Sequence, residues 1–147
     1  MGLIRALASS ASGLAAQRVR MDVVAANVAN IETTSTPEGG PYQRKVVRFA
    51  SGDSSLPFSN VIRRFTGGAD TGVVLTQVSA DQESPGRSVY DPAHPDAGED
   101  GYVQMPNVDM VQEMTDLTSA NRSYQANVTV LNAVKQMALR ALDISSR

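Results

Sequence analysis

"MVQEMTDLTSANRSYQANVTVLNAVKQMALRAL", Met110 to Leu142, sets Met110, Leu117, Tyr124, Leu131 and Ala138 seven residues apart, with Met114, Val128 and Leu142 at a second position of the same heptad. Asn121 and Lys135 interrupt that second position, and no Pro or Gly interrupts the run. Spacing of this kind predicts a long helix with a seam for a partner helix. Pro106 closes the preceding segment. Asn107 or Asp109 can cap the new helix, the latter with Gln112 at the spacing of a capping box.

A partner for that seam stands at the other end of the chain. Leu7, Leu14, Met21 and Val28 recur every seven residues, and Ile4, Ala11, Arg18 and Ala25 share a second position, so a helix is expected from Ile4 to Ile31. Between residues 6 and 16 everything except Leu7 and Leu14 is Ala, Ser or Gly. A Gly such as Gly13 costs about 1 kcal/mol relative to Ala inside a helix, which points to a close approach by another element. The end of this helix, "VAANVANIETT" from Val24 to Thr34, carries two amides where Leu or Ala would fill a core. Asn30 reads as a helix C-cap in the left-handed conformation. Asn27 reads as a polar group inside a helix interface that fixes register between neighbouring helices, as Asn121 does on the other seam.

The middle is of another kind, for all 7 prolines lie between Ser35 and Pro106. "YQRKVVRF" (42–49) and "GVVLTQVSA" (72–80) are strand candidates, and "STPEGGPY" (35–42), "FTGGADTG" (65–72) and "YDPAHPDAGEDG" (90–101) are turns. The expected fold class is α+β: long N- and C-terminal helices pairing as a coiled coil, with a small β-rich domain inserted between them. The boundaries fall at 1–34, 35–106 and 107–147. Two helices this rich in Ala and Ser bury too little apolar area to offset chain entropy of about 1 to 2 kcal/mol per residue, so further surface must come from other chains.

Composition removes several function classes. A net charge of -2 and a pI near 5.3 do not suit nucleic-acid binding. No cysteine is present, which excludes thiol catalysis and thiolate metal sites. No run of about 18 apolar residues could span a bilayer. The N-terminal stretch superficially resembles a secretion signal, but its helical pattern runs through any cleavage point, so it reads as retained structure. His94, the single histidine, has no companion ligand and reads as part of a proline-stiffened turn. The stretch from Asp96 fails as a calcium loop at Gly98 and Asn107. Arg44, Lys45, Arg48, Arg63 and Arg64 read as a charged strand edge. The N-terminal serines have no base nearby, and neither an enzyme nor a cofactor is expected.

"SASGLAAQRVRMDVVAANVANIETT" (10–34) resembles the N-terminal signature of the bacterial flagellar axial family, the rod, hook and hook-associated subunits. Within that family "GGPYQRKVV", "VYDPAHPDAGEDGYVQMPNVD" and "SANRSYQANVTVLNAVKQMALRALDI" resemble a proximal-rod subunit. The resemblance implies a structural subunit assembling helically into the drive shaft and export channel between the membrane ring and the distal rod and hook. It implies copies of the same chain, other rod subunits, and membrane-ring and export-gate-proximal components as partners. It further implies a basal-body rod spanning the periplasm, reached through the flagellar type III apparatus without a cleaved signal. A different proximal-rod subunit, or a soluble coiled-coil adapter of a secretion system, is the alternative. The residues expected at helix pairing and assembly are Leu7, Leu14, Met21, Asn27, Val28, Asn30, Met110, Met114, Leu117, Asn121, Tyr124, Val128 and Leu131.

Overall fold

The computed structural model describes residues 2–51 and 72–145. Arg63, Arg64 and most of the 65–72 turn expected from the sequence lie outside them. Among the described residues, helix α1 (Gly2–Ala29) and helix α2 (Met110–Ser145) stand at the two ends of the chain. Between them come four strands: β1 (Lys45–Ser51), β2 (Val73–Ala80), β3 (Ser88–Tyr90) and β4 (Tyr102–Gln104). This is the α+β class, with β1 paired to β2 and β3 paired to β4.

α1 stops two residues before the expected Ile31, and Asn30 shows why. Its backbone N–H is shared between the Ala26 and Asn27 carbonyls at 3.2 Å each, which tightens the last turn. Its side-chain amide donates to the Ala26 carbonyl at 2.8 Å, and its Oδ1 accepts from the Thr33 hydroxyl at 3.2 Å. The left-handed cap expected at Asn30 is corrected here, because among the described residues only glycines have positive φ. The Asn30 side chain thus holds the helix end through a second bond to the Ala26 carbonyl and one to Thr33, without a left-handed residue.

The linker beyond α1 is closed by the Tyr42 N–H to the Thr33 carbonyl at 3.0 Å, and its turn needs two glycines, Gly39 (φ 91°) and Gly40 (φ 78°). α2 begins at the cap the sequence offered second: the Asp109 carboxylate accepts from the Val111 N–H at 2.8 Å and the Gln112 N–H at 3.3 Å. β3 and β4 are three residues each, too short for alternation to mark them. They form an antiparallel hairpin with Val89 opposite Val103, whose connection is the predicted 90–101 turn. Gly101 (φ 74°) lies beneath the Tyr90 ring, where an added Cβ would come within 2.9 Å of it.

Contacts divide the chain into two units, one of Met1–Val19, Arg48–Gln77 and Ala120–Arg147, the other of Arg20–Val47 and Val78–Ser119. In the first, Ala16, Ala120 and Val134 are buried. An added Cβ on Gly13 would lie 3.0 Å from Asn127 Nδ2, the close approach that a glycine inside a helix foretold. Ser12 Oγ accepts from the Val73 N–H at 3.0 Å and so holds the start of β2 against α1. In the second unit the buried apolar side chains include Val24 and Val103, joined by two polar ones, Asn27 and Glu113.

Candidate functional site

Asn27, in the last turns of α1, is 1% exposed, and its amide is used to capacity within the chain. Nδ2 donates to the Lys45 carbonyl at 2.9 Å and to Glu113 Oε2 at 3.0 Å. Oδ1 accepts from the Lys45 N–H at 2.9 Å and from the Tyr42 hydroxyl at 3.0 Å. Glu113, in the first turn of α2, is 0% exposed, and its other oxygen accepts from Arg44 Nε at 2.5 Å. Arg44 also reaches Asp116 at 3.4 Å. A buried carboxylate is tolerable only when paired and hydrogen-bonded, and here both conditions are met. Burial, reinforced by the Glu113 charge, pushes the Tyr42 hydroxyl above its ordinary pKa.

A second amide locks the same segment from the other side. Asn107 Oδ1 accepts from the Arg44 N–H at 2.7 Å, while its Nδ2 donates to the Asp81 and Ser84 carbonyls at 2.9 and 3.2 Å. The Arg44 carbonyl accepts from the Asp81 N–H at 2.7 Å. The Ser84 hydroxyl, with the backbone N–H groups of Ser84 and Glu83, holds the Asp81 carboxyl below its ordinary pKa. A polar cleft of about 330 Å³ opens beside the node, lined by Arg20, Val23, Arg44, Lys45, Glu113 and Asp116 among others.

The residues expected at assembly fall into three groups. Asn27 is buried; Leu7, Leu14, Met21, Val28, Asn30, Tyr124, Val128 and Leu131 are half-buried; Met110, Met114, Leu117 and Asn121 are exposed. Asn27 therefore differs from the expected register group between neighbouring helices, since both its donors and its acceptor oxygen are occupied by its own chain. The buried positions of α2 are Glu113, Ala120 and Val134, a heptad frame offset from the large apolar one. The larger frame stays open at its start: Met114 is 59% and Leu117 36% exposed, beside exposed Met110 and Val111.

Sequence reasoning missed Glu113 as a structural group, offered Asn107 as a helix cap where it instead holds Arg44, Asp81 and Ser84, and placed Arg44 on a solvated edge, whereas its side chain is only 17% exposed. The available signal was the Glu113, Ala120, Asn127, Val134 frame, the small-residue counterpart of Gly13. His94 sits in its turn as expected, its Nδ1 accepting from the Asp96 N–H at 3.1 Å. Among the described residues no group of three or more His, Asp or Glu side chains is arranged to hold a metal ion, and no helix is long and apolar enough to cross a membrane.

Comparison with known proteins assigns both ends of the chain. Residues 7–35 match the family described as flagella basal body rod protein, and residues 99–144 match the family described as flagellar basal body rod FlgEFG protein C-terminal. The chain is 47% identical to the flagellar basal-body rod protein FlgC of Bacillus subtilis, over 98% of this chain and 99% of that one. It is 41% identical to the protein of that name from Borreliella burgdorferi, and 41% identical to that from Escherichia coli O6:H1, over 98% of both chains in each case.

Proposed function

Because the chain belongs to the FlgC family of flagellar basal-body rod proteins, we infer that it is a structural, non-enzymatic subunit of the flagellar rod, built to be held by neighbours along α2. The observation that carries the rod assignment is kinship over nearly the full length, so that both terminal helices and the middle are those of a rod subunit. The open apolar stripe at Met110, Val111, Met114 and Leu117 supports the second half of the reading. A helix whose first turns bury Glu113 against its own chain while their large apolar side chains lie exposed has surface left for other chains.

On this reading the helical ends, 1–34 and 107–147, form the inner layer of the rod as paired helices, and 35–106 forms an outer layer. Neighbours are copies of the same chain, other rod subunits, and membrane-ring and export-gate-proximal components. A contact between unlike faces of successive copies whose rotation does not close into a ring propagates a filament. The drive shaft and export channel cross the periplasm, and the subunit reaches its place through the flagellar type III apparatus with its N-terminus intact. Deleting the gene tests the assignment. The expected result is loss of motility and basal bodies without a completed rod, restored by the wild-type chain. Intact rods in the deletion strain would contradict it.

A further inference from the structure

The hairpin of β3 and β4 buries Val103, and the alternation of a strand sets the paired Tyr90 and Tyr102 on its opposite face, 64% and 51% exposed. Their rings meet edge to face, with centroids 5.2 Å apart and planes at 63°. On the same face the Ser88 hydroxyl donates to Gln104 Oε1 at 3.0 Å. The turn beside the rings is pinned by the Asp91 N–H to the Gly101 carbonyl and the Gly98 N–H to the Tyr102 carbonyl, each at 3.0 Å, and by the Thr34 hydroxyl to Asp96 at 2.7 Å. Within it Glu99 and Asp100 are exposed, and neither carboxylate has a hydrogen-bond or ion-pair partner among the described residues. Single exposed tyrosines are ordinary, but a fixed pair of rings beside unpaired carboxylates suits a cationic partner, because ring faces and carboxylates both attract Lys and Arg.

The distribution of charge along the chain says where such cations stand. The unit that holds the hairpin, Arg20–Val47 with Val78–Ser119, has twelve acidic and four basic residues, a net charge of -8. The other unit has three acidic and nine basic residues, a net charge of +6, and the two together give the -2 of the whole chain. Exposed cations of that unit include Arg18, Arg48, Arg122, Lys135 and Arg140. We propose that the β3–β4 face of one copy docks on the basic unit of a second copy. A two-fold contact that set this face against itself would bring two units of like charge together, which is unfavourable within a screening length of about 8 Å. A contact between unlike faces pairs opposite charges at the interface and steers the copies head to tail. The proposal rests on the rod reading in taking copies of the chain to be neighbours.

The test is photo-cross-linking in cells, with p-benzoylphenylalanine in place of Tyr90 in one strain and of Tyr102 in another. After illumination, basal bodies are purified and the products are sized and mapped by mass spectrometry. The expected product is a dimer of this chain in which the probe is joined to a peptide from the basic unit of the second copy. Glu99→Lys combined with Asp100→Lys should lower the yield of that dimer about fivefold or more at equal chain level. Glu99→Gln combined with Asp100→Asn, which removes the charge without reversing it, should lower it less. A dimer joined instead within residues 20–47 or 78–119 would overturn the proposal, as would cross-links to other proteins alone or no dimer from either probe. A yield unmoved by charge reversal, or lowered equally by the neutral pair, would overturn it too. The wild-type chain is scored in the same basal-body preparations, and its presence there leaves the rod assignment standing whichever way the cross-links fall.

Discussion

At the scale of the residue, Asn27 carries more of the second unit than any apolar side chain of α1. Replacing it with Leu leaves Glu113, the Lys45 backbone and the Tyr42 hydroxyl without their partner. A loss on the order of 2 to 4 kcal/mol is expected from buried groups left unsatisfied, against which the better helix propensity of Leu is small. Denaturant unfolding of the isolated chain measures it, and a variant as stable as wild type would contradict the node. Asn30→Leu should cost less, about 1 kcal/mol, since it removes only a helix-end cap. Tyr42 adds an alkaline signature. Its folded pKa is raised above the ordinary 10.0, so its contribution is complete below that pH and is lost as pH rises through the folded value. Tyr42→Phe should flatten the stability profile in that window, as thermal unfolding at stepped alkaline pH would report. The sequence exposed Asn27 as an anomaly, an amide among small apolar residues. It did not reveal the partners, because Glu113 lies 86 residues away and nothing in local spacing links the two.

At the scale of the element, both helices were legible from heptad spacing to within about three residues at their described ends, since a long periodic pattern without Pro admits little else. The buried face was not. Periodicity marks every apolar stripe alike, whether it is covered by the same chain or by another, and in α2 the larger stripe is the one left exposed at its start. Small residues were the better guide to the contact within the chain, as Gly13 beside Asn127 and the fully buried Ala120 show. The strands β3 and β4 escaped notice because three residues cannot establish a period. The division of labour along α2 predicts a split phenotype. Met114→Asp should leave the isolated chain within about 0.5 kcal/mol of wild type, because the side chain is already exposed. In an assembled rod the same carboxylate would meet a desolvation cost of several kcal/mol, so rods should fail. Normal melting with normal motility would mean that the stripe faces solvent in the rod.

At the scale of the whole molecule, the few buried side chains and two small strand pairs among the described residues are consistent with a subunit completed by its neighbours. The chain has no cysteine, so a single introduced thiol reports on one position alone. Met114→Cys places it at the centre of the exposed stripe without adding a charge. The most direct measurement compares the rate at which a water-soluble maleimide labels this thiol in the isolated chain and in purified basal bodies. The account predicts fast labelling of the free chain and at least tenfold slower labelling in the rod, where neighbouring chains cover the stripe. Equal rates in the two states would show the stripe open to water in the assembled rod and contradict the account.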